Sequence, residues 1–216
     1  MISVPAIPTY VMGLAARGKL KSPKILRLQG NQVPTVDVFV PCCGEDLDVI
    51  IDTTRAAAAL DYPNAKIRVI VLDDGDSAEV QKKVNSHSKA GNINHGLDFV
   101  NTLPGGPSEF IAVLDVDMMP LPYWLRVLIP HILKDPKVVM ANPPQRFYNL
   151  PDGDPLGQSM DFVFDVLSYL QDALDLAWCI GTGWVAQCSA IEQIGGILTE
   201  AILEDVLTSV LLNARG

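Results

Sequence analysis

Short hydrophobic runs alternate along the chain with segments of helical periodicity. Runs of strand length occur at residues 36–40, 67–72, 110–114 and 138–141. The run at 67–72 is almost wholly apolar, as is typical of a parallel strand with helices on both faces. The pattern therefore predicts an α/β fold built on an open, mostly parallel sheet flanked by helices.

Apolar residues at helical spacing predict the intervening helices. One helix begins after Glu45 and Asp46 and ends at the turn sequence DYPN. Another spans residues 123–133 and contains Pro130, which is expected to kink or end it. Further helices are predicted over residues 158–177 and from Glu204 to residue 213, with a short element between the glycines at 181–183 and 195–196.

The first 34 residues, 1–34, are rich in Pro, Gly, Lys and Arg and show weak periodicity. We interpret them as a basic lead-in segment that is solvated or lies against an anionic membrane surface. The sequence contains no run of about 18 uninterrupted apolar residues of the kind that spans a bilayer. The chain as given is therefore not predicted to be an integral membrane protein.

Composition narrows the possible functions. Hydrophobic residues make up 49% and charged residues 19%, which favours a packed globule. The net charge of −9 disfavours nucleic acid as a partner, because phosphate contacts need a basic face. The four cysteines form no CxxC pair, so neither a disulfide framework nor a zinc site is indicated, and a reducing, cytosolic environment is expected.

Carboxylates follow three of the predicted strands. Glu45 follows the first, Asp73 and Asp74 the second, and Asp115 and Asp117 the third. Ligands of open α/β sheets bind beyond the carboxyl ends of the strands, so these acids are expected to share one site.

The sequence LDVDMMP places two carboxylates around a valine that is expected to point into the core. Mg²⁺ or Mn²⁺ suits such a pair, because both ions accept carboxylate, water and phosphate oxygens. The alternative is that Asp115 and Asp117 only cap a turn. An acidic chain that binds an anionic ligand needs such an ion or a few basic groups, so we favour the metal.

Two further segments carry candidate chemistry. Lys89, with Gly91 and Asn92 before a predicted helix, could bind a phosphate group, or could belong to a solvated loop. Glu204 and Asp205 open the last helix, where a carboxylate could act as a general base or only stabilise the helix.

The sequence offers two alternative enzyme classes. The pattern Gly181-x-Gly183-x-x-Ala186, with Glu200 and Glu204 near the ribose-binding distance, suggests a dinucleotide-binding oxidoreductase. The pattern follows a helix-like segment, however, whereas the Rossmann turn requires a strand. A phosphotransferase with Asp117 as metal ligand would leave the other strand-end acids without a role.

Several segments in this order resemble the family 2 glycosyltransferases with a GT-A fold, and especially the processive cellulose, hyaluronan and chitin synthases. They are VDVFVPCCGE, LDYPNAKIRVIVLDDG, HSKAGNINHGL, VLDVDMMP, ANPPQRFYN, GTGWVAQCSAIEQIGG and LEDVLTS, and they cover most of residues 36–213. The resemblance implies a GT-A catalytic domain over residues 35–216, with a Rossmann-like sheet.

The resemblance also implies roles for single residues. For the donor, a UDP-sugar, the nucleotide-binding residues would be Glu45, Asp73, Asp74, Lys89 and Asp115, and the ligands of Mg²⁺ or Mn²⁺ would be Asp115 and Asp117. Asp205, preceded by Glu204, matches the Asp of the family's Thr-Glu-Asp motif, which acts as general base. The residues expected to border the polysaccharide acceptor are Gln145, Arg146, Gly181, Thr182 and Gly183.

The implied reaction is metal-dependent, inverting transfer of a sugar to a growing polysaccharide at the cytosolic face of a membrane. Three departures bear on it: Leu203 replaces the motif threonine, the interval from Gly75 to His87 is short, and the chain ends before the family's Gln-x-x-Arg-Trp motif and transmembrane helices. We therefore expect a fragment or an isolated catalytic domain, in contact with the membrane only through other segments. The alternative is a domain that binds a nucleotide sugar without transferring it.

Overall fold

The computed structural model describes residues 6–17, 25–74, 88–154, 158–200 and 203–214 of the protein. They fall into two compact units. The sheet unit holds the described part of Ile25–Asn142 and Cys179–Gly216, and the helical unit that of Met1–Lys24 and Pro143–Trp178. Residues 25–34 of the predicted lead-in thus group with the sheet. The short Gly75–His87 interval lies outside the described residues.

The sheet unit contains, in its described part, the strands β1 (Val36–Cys42), β2 (Ile67–Asp73), β3 (Phe110–Val113), β4 (Met140–Ala141) and β5 (Trp184–Gln187). Their order is β2-β1-β3-β5-β4. β1 runs parallel to β2 and β3, whereas β5 is antiparallel to β3 and β4. The predicted mostly parallel sheet is confirmed, but β5 was not predicted as a strand.

The helices of the sheet unit are α2 (Leu47–Ala58), α3 (Lys89–Thr102), α4 (Trp124–Lys134), α6 (Cys188–Gln193) and α7 (Glu204–Ala214), with a 3₁₀ turn at Asn64–Lys66. The helical unit contains α1 (Ala6–Ala15) and α5 (Ser168–Ala173), the latter preceded by a π-helical segment at Phe162–Leu167. The helix predicted over 158–177 is therefore shorter than expected, and a helix forms within the lead-in. None of the described helices is long and apolar enough to cross a membrane.

Pro130 was expected to kink or end this helix; it does not end α4, which continues to Lys134. A proline lacks the N–H that would bond to the carbonyl four residues earlier, here that of Arg126. The backbone N–H of Leu28 donates to this carbonyl instead, at 2.9 Å. The Arg126 side chain also donates to the carbonyls of Leu28 and Gly30, so the segment before β1 satisfies the gap that the proline leaves.

Helices cover both faces of the sheet. Val36 and Val38 of β1 pack on one face with residues of α2 and α4, and Phe39 packs on the other with residues of α3, α6 and α7. β2 is one of the two edge strands of the described sheet, and its Val71 is 41% exposed, so this strand is less covered than its apolar sequence predicted.

A fully buried carboxylate sets the register of β1 against β2. Asp37 lies opposite Arg68 in the pairing. Its carboxylate accepts two hydrogen bonds from the Arg68 guanidinium and one from the N–H of Ser108. The same register places Cys42 opposite Asp73 at the other end of the two strands, where the predicted acids lie.

Gly96 allows α3 to approach the sheet closely. A Cβ atom at this position would lie 2.7 Å from Cδ1 of Leu72 and 3.1 Å from Cε2 of Phe39. We expect Gly96→Ala to lower the free energy of unfolding by about 1–3 kcal/mol, because the core must shift to accept the methyl group. Denaturant unfolding followed by circular dichroism measures this change.

Gly13→Ala is the matched control, because Gly13 also lies inside a helix but has open space around it. Its unfolding free energy should stay constant or rise by up to about 1 kcal/mol, as helix propensity predicts. If Gly96→Ala were as stable as the wild type, the close seating of α3 would be contradicted.

Candidate functional site

A cleft of about 650 Å³ opens at the carboxyl ends of β1, β2 and β3. This carboxyl-end cleft is of the size that small-molecule sites usually have. Its polar lining includes Glu45, Asp74, Ser88, Lys89, Asp115 and Asp117. The cleft thus brings together Glu45, Asp74, Asp115 and Asp117 of the predicted strand-end acids. Asp73, the last residue of β2, is not among the lining residues, but its Oδ1 lies 3.9 Å from Sγ of Cys42, which lines the cleft.

The segment 115–117 places its two carboxylates as the sequence predicted. Val116 is 5% exposed and packs into the core, which leaves Asp115 and Asp117 on the cleft side. Hydroxyl groups hold the backbone: the Asp115 N–H donates to Oγ1 of Thr182 at 2.7 Å, and Oγ1 of Thr53 donates to the Val116 carbonyl. Asp117 is exposed and forms no ion pair with a described residue.

Burial dominates the electrostatics of Asp115. It raises the pKa of this carboxyl, and the nearby charges of Asp117 and Asp205 raise it further. Lys89 opposes the shift, because its Nζ lies 2.5 Å from Oδ1 of Asp115, but the net direction is upward. The site therefore destabilises the ionised form of Asp115, and a cationic ligand would offset this destabilisation.

The start of α3 differs from the predicted phosphate-binding loop. The helix begins at Lys89, and Ser88 caps it by accepting the N–H of Gly91 at 3.2 Å. Asn92 is buried, and its side-chain amide donates to the Leu72 carbonyl at 2.7 Å and to the Cys42 carbonyl at 3.5 Å. This side chain fastens the ends of β1 and β2 to α3, so it does not point to a free phosphate.

Thiols and carboxylates lie together at the end of β1. Burial, followed by the charges of Asp73 and Glu45, raises the pKa of the Cys42 thiol to about 11. Glu45 folds back so that Oε2 accepts the N–H of Cys43 at 2.5 Å. Cys43 itself is exposed at the cleft wall.

Asp205 lies at the start of α7, beside a cavity of about 10 Å³ that Lys89, Glu204 and Asp205 help to line. Its Oδ2 accepts the N–H of Gly181 at 2.5 Å, and its Oδ1 accepts the N–H of Val206 at 2.8 Å. Glu204 precedes it in the first turn of α7. The two acids predicted at this helix start thus border a cavity that shares Lys89 with the carboxyl-end cleft.

The turn Gly181–Thr182–Gly183 leads into β5 and lies against the end of β3. The Gly183 N–H donates to the Val113 carbonyl at 2.8 Å, and Nε1 of Trp124 donates to the Gly183 carbonyl at 2.9 Å. A Rossmann phosphate turn follows a strand and opens a helix, whereas this one precedes a strand. The pattern at 181–183 is therefore not a Rossmann phosphate turn, and the feature that suggested an oxidoreductase is absent from this segment.

Gln145 and Arg146 belong to the helical unit, unlike the other predicted site residues. The Arg146 guanidinium pairs with Asp165 and lies 3.8 Å from Asp161. Its pKa is raised, chiefly by the hydrogen bond to Asp165. The predicted acceptor role of Gln145 and Arg146 stays a prediction.

The donor set fits a metal that is shared with a ligand. No group of three His, Cys, Asp or Glu side chains among the described residues could hold an ion by itself. Asp115 and Asp117 nevertheless supply two carboxylates at the cleft, and Mg²⁺ is commonly bound by one or two carboxylates together with substrate phosphates and water. The arrangement suits an ion that enters with a diphosphate.

The contacts that hold the site together were the least visible feature in the sequence, even where the residues themselves were predicted. Thr182 and Thr53 bind the backbone of segment 115–117 from 67 and 63 residues away. The Gly181 N–H reaches Asp205 across 24 residues. No local spacing rule connects such pairs, although the glycine-rich turn at 181–183 was a signal that this segment is unusual.

The sequence matches the family described as Glycosyl transferase family 2 over residues 37–195. The protein belongs to this family. It is 35% identical to the cellulose synthase catalytic subunit [UDP-forming] of Pseudomonas fluorescens (strain SBW25), over 91% of this chain and 28% of that protein. It is 27% identical to cellulose synthase 1 of Komagataeibacter xylinus, over 91% of this chain and 14% of that protein. The chain thus spans less than a third of the length of these relatives.

Solved structures agree on the fold. The mannosyltransferase PcManGT of Pyrobaculum calidifontis, in complex with GDP-Man and Mn²⁺, superposes with a TM-score of 0.68 at 19% identity and covers 94% of this chain and 59% of its own. S. aureus TarS 1-349 in complex with UDP gives a TM-score of 0.53 at 13% identity, over 83% of this chain and 55% of its own. The predicted GT-A fold is confirmed.

Cysteine reactivity tests the geometry of the cleft. We expect a thiol reagent at pH 7.5 to modify Cys43 first, because it is exposed, whereas Cys42, Cys179 and Cys188 are buried. The raised pKa of Cys42 further limits its thiolate. Mass spectrometry of iodoacetamide-treated protein over time identifies the modified residue.

The variant Cys43→Ser is the control and should remove the rapid phase of labelling. Labelling of Cys42 at a rate equal to that of Cys43 would contradict the described end of β1.

Proposed function

We propose that this chain is the catalytic domain of a glycosyltransferase that transfers a sugar from a UDP-sugar to a growing polysaccharide, with inversion and with a divalent metal ion. One observation carries the proposal: Lys89 and the strand-end carboxylates line one cleft, and a second carboxylate site at Asp205 shares Lys89 with it. The family and its cellulose synthase members support the reaction class and the choice of a uridine nucleotide.

The carboxyl-end cleft would take the nucleotide. Glu45, Asp73 and Asp74 lie where β1 and β2 end, and their carboxylates can accept hydrogen bonds from the uracil and ribose. Lys89 supplies positive charge near the diphosphate. Asp115 would contact the nucleotide and would also be a ligand of the metal ion.

Asp115 and Asp117 would hold Mg²⁺ or Mn²⁺. The bound ion supplies charge neutralisation on the departing diphosphate, the electrostatic contribution that such ions typically make. The raised pKa of Asp115 supports this assignment, because burying an anion becomes favourable when a cation joins it.

Asp205 would act as the general base. It takes the proton of the acceptor hydroxyl while the acceptor oxygen bonds to the anomeric carbon. The bond from that carbon to the UDP oxygen breaks, and its electron pair leaves with UDP. A single displacement of this kind inverts the anomeric centre and needs no covalent enzyme intermediate. Glu204 borders the same cavity, and Gly181, Thr182 and Gly183, together with Gln145 and Arg146, are proposed to border the acceptor.

Titration of UDP into the purified chain tests the donor site. We expect binding in the presence of Mn²⁺ and at least about tenfold weaker binding without it, because two carboxylates and a diphosphate repel one another unless a cation joins them. Asp117→Ala should weaken binding to the same extent. Isothermal titration calorimetry gives the dissociation constants.

Asp98→Ala serves as the matched control, because this exposed aspartate of α3 lies outside the cleft lining. It should bind UDP as the wild type does.

Bound UDP should also slow the labelling of Cys43. Absence of binding to the folded wild-type chain would contradict the proposed donor site.

Asp205→Asn separates binding from transfer. We expect unchanged affinity for UDP with Mn²⁺, and a fall of about 10²-fold or more in transfer, as the loss of a general base predicts. The assay follows UDP release from a panel of UDP-sugars with oligosaccharide acceptors. If the wild type binds UDP but releases none from any donor, the alternative of a binding domain without transfer is favoured.

A further inference from the structure

The side chain of Lys89 joins two parts of the site that the chain sequence keeps far apart. Its Nζ lies 2.5 Å from Oδ1 of Asp115 and donates to the Gly181 carbonyl at 2.6 Å. The side chain is only 26% exposed, so both contacts are shielded in part from water. One ammonium group therefore binds Asp115, just after the carboxyl end of β3, and at the same time the turn before β5.

Gly181 carries the connection onward to Asp205. It has a φ of 78°, a conformation that favours glycine. In this conformation its carbonyl accepts from Lys89 while its N–H donates to Oδ2 of Asp205. Both backbone polar groups of this one residue are thus engaged, one by a cation and the other by an anion.

We propose that Lys89 is a positioning residue for Asp205 and acts through Gly181. The inference rests on the proposed function, in which Asp205 is the base, and it adds a task that nucleotide binding does not require. Glycine has more conformational freedom than any other residue, so the turn needs an external contact to hold a single conformation. The charge-assisted bond from Lys89 supplies that contact, and the carboxylate direction follows from it.

The same ammonium pairs with Asp115, which makes the base position dependent on the donor side of the site. A change in the ion pair between Lys89 and Asp115 alters the hydrogen bond from Lys89 to the Gly181 carbonyl. The two sites are therefore coupled through one side chain, and no contact between Asp115 and Asp205 is needed.

The amide signals of Gly181 and Val206 report on the Asp205 carboxylate directly, because both N–H groups donate to it. The experiment is ¹H–¹⁵N NMR of the labelled full chain, with amide hydrogen exchange, for the wild type, Lys89→Met and Lys89→Arg. We expect both signals to move in Lys89→Met, with exchange at Gly181 about tenfold faster, as for the loss of one hydrogen bond. Lys89→Arg, which keeps the charge and the donors, should restore them in large part.

The Gly183 amide is the internal control. Gly183 belongs to the same turn as Gly181, but its N–H donates to the Val113 carbonyl of β3, outside the proposed connection, and should keep its signal in every variant. An unchanged Gly181 signal in Lys89→Met would overturn the proposal. So would a moved Gly181 signal without a change at Val206, since Lys89 would then hold the turn without positioning Asp205.

If Lys89→Met alone fails to fold, the double variant Lys89→Met/Asp115→Asn removes both members of the pair and leaves no unpaired buried carboxylate. The same shifts are expected in it, and unchanged signals overturn the proposal equally. The titration of UDP with Mn²⁺ is independent of these signals. Its failure would contradict the donor site, whereas unchanged amides would contradict only the positioning role.

Discussion

The charge balance around Lys89 is the constraint on which the rest of the site depends. Carboxylates gathered at the carboxyl ends of the strands lose hydration and repel one another. Both effects, loss of hydration first, raise the pKa of Asp115. Lys89 is the one basic side chain among the described residues that line the cleft and the adjoining cavity. A cation in the first turn of a helix opposes the helix dipole, so its position at the start of α3 is explained by the acids and not by the helix.

The core strands could be predicted because their signal is local. β1, β2 and β3 are apolar runs of strand length, and their observed bounds agree with the predicted ones within two residues. β5 is short, and its neighbours in the sheet come from distant parts of the chain, so no local pattern identified it. The surroundings of Pro130 show the same limit, because the carbonyl that this proline leaves without a helical partner accepts the N–H of Leu28, about a hundred residues earlier in the chain.

The site divides along the same line. The carboxylates of the site could be predicted, because acids that follow parallel strands meet at the carboxyl ends of the sheet. The order of the motifs along the chain also resembled that of a known family. The supporting contacts could not. The segment of Asn92 was interpreted as a phosphate site or a solvated loop, whereas its side chain fastens the ends of two strands; Thr53 holds segment 115–117 from the middle of α2. Such roles depend on which side chains the finished fold brings within hydrogen-bond distance.

The antiparallel position of β5 between β3 and β4 bears on how the chain is made. A ribosome completes β1, β2, β3 and β4 before it reaches β5, so the edge of β3 exposes unpaired backbone groups during that interval. Open strand edges of this kind promote aggregation in partly folded chains. β5 directly follows the turn that contacts Asp205, so one segment of the chain both covers the edge of β3 and brings this turn to the acidic site.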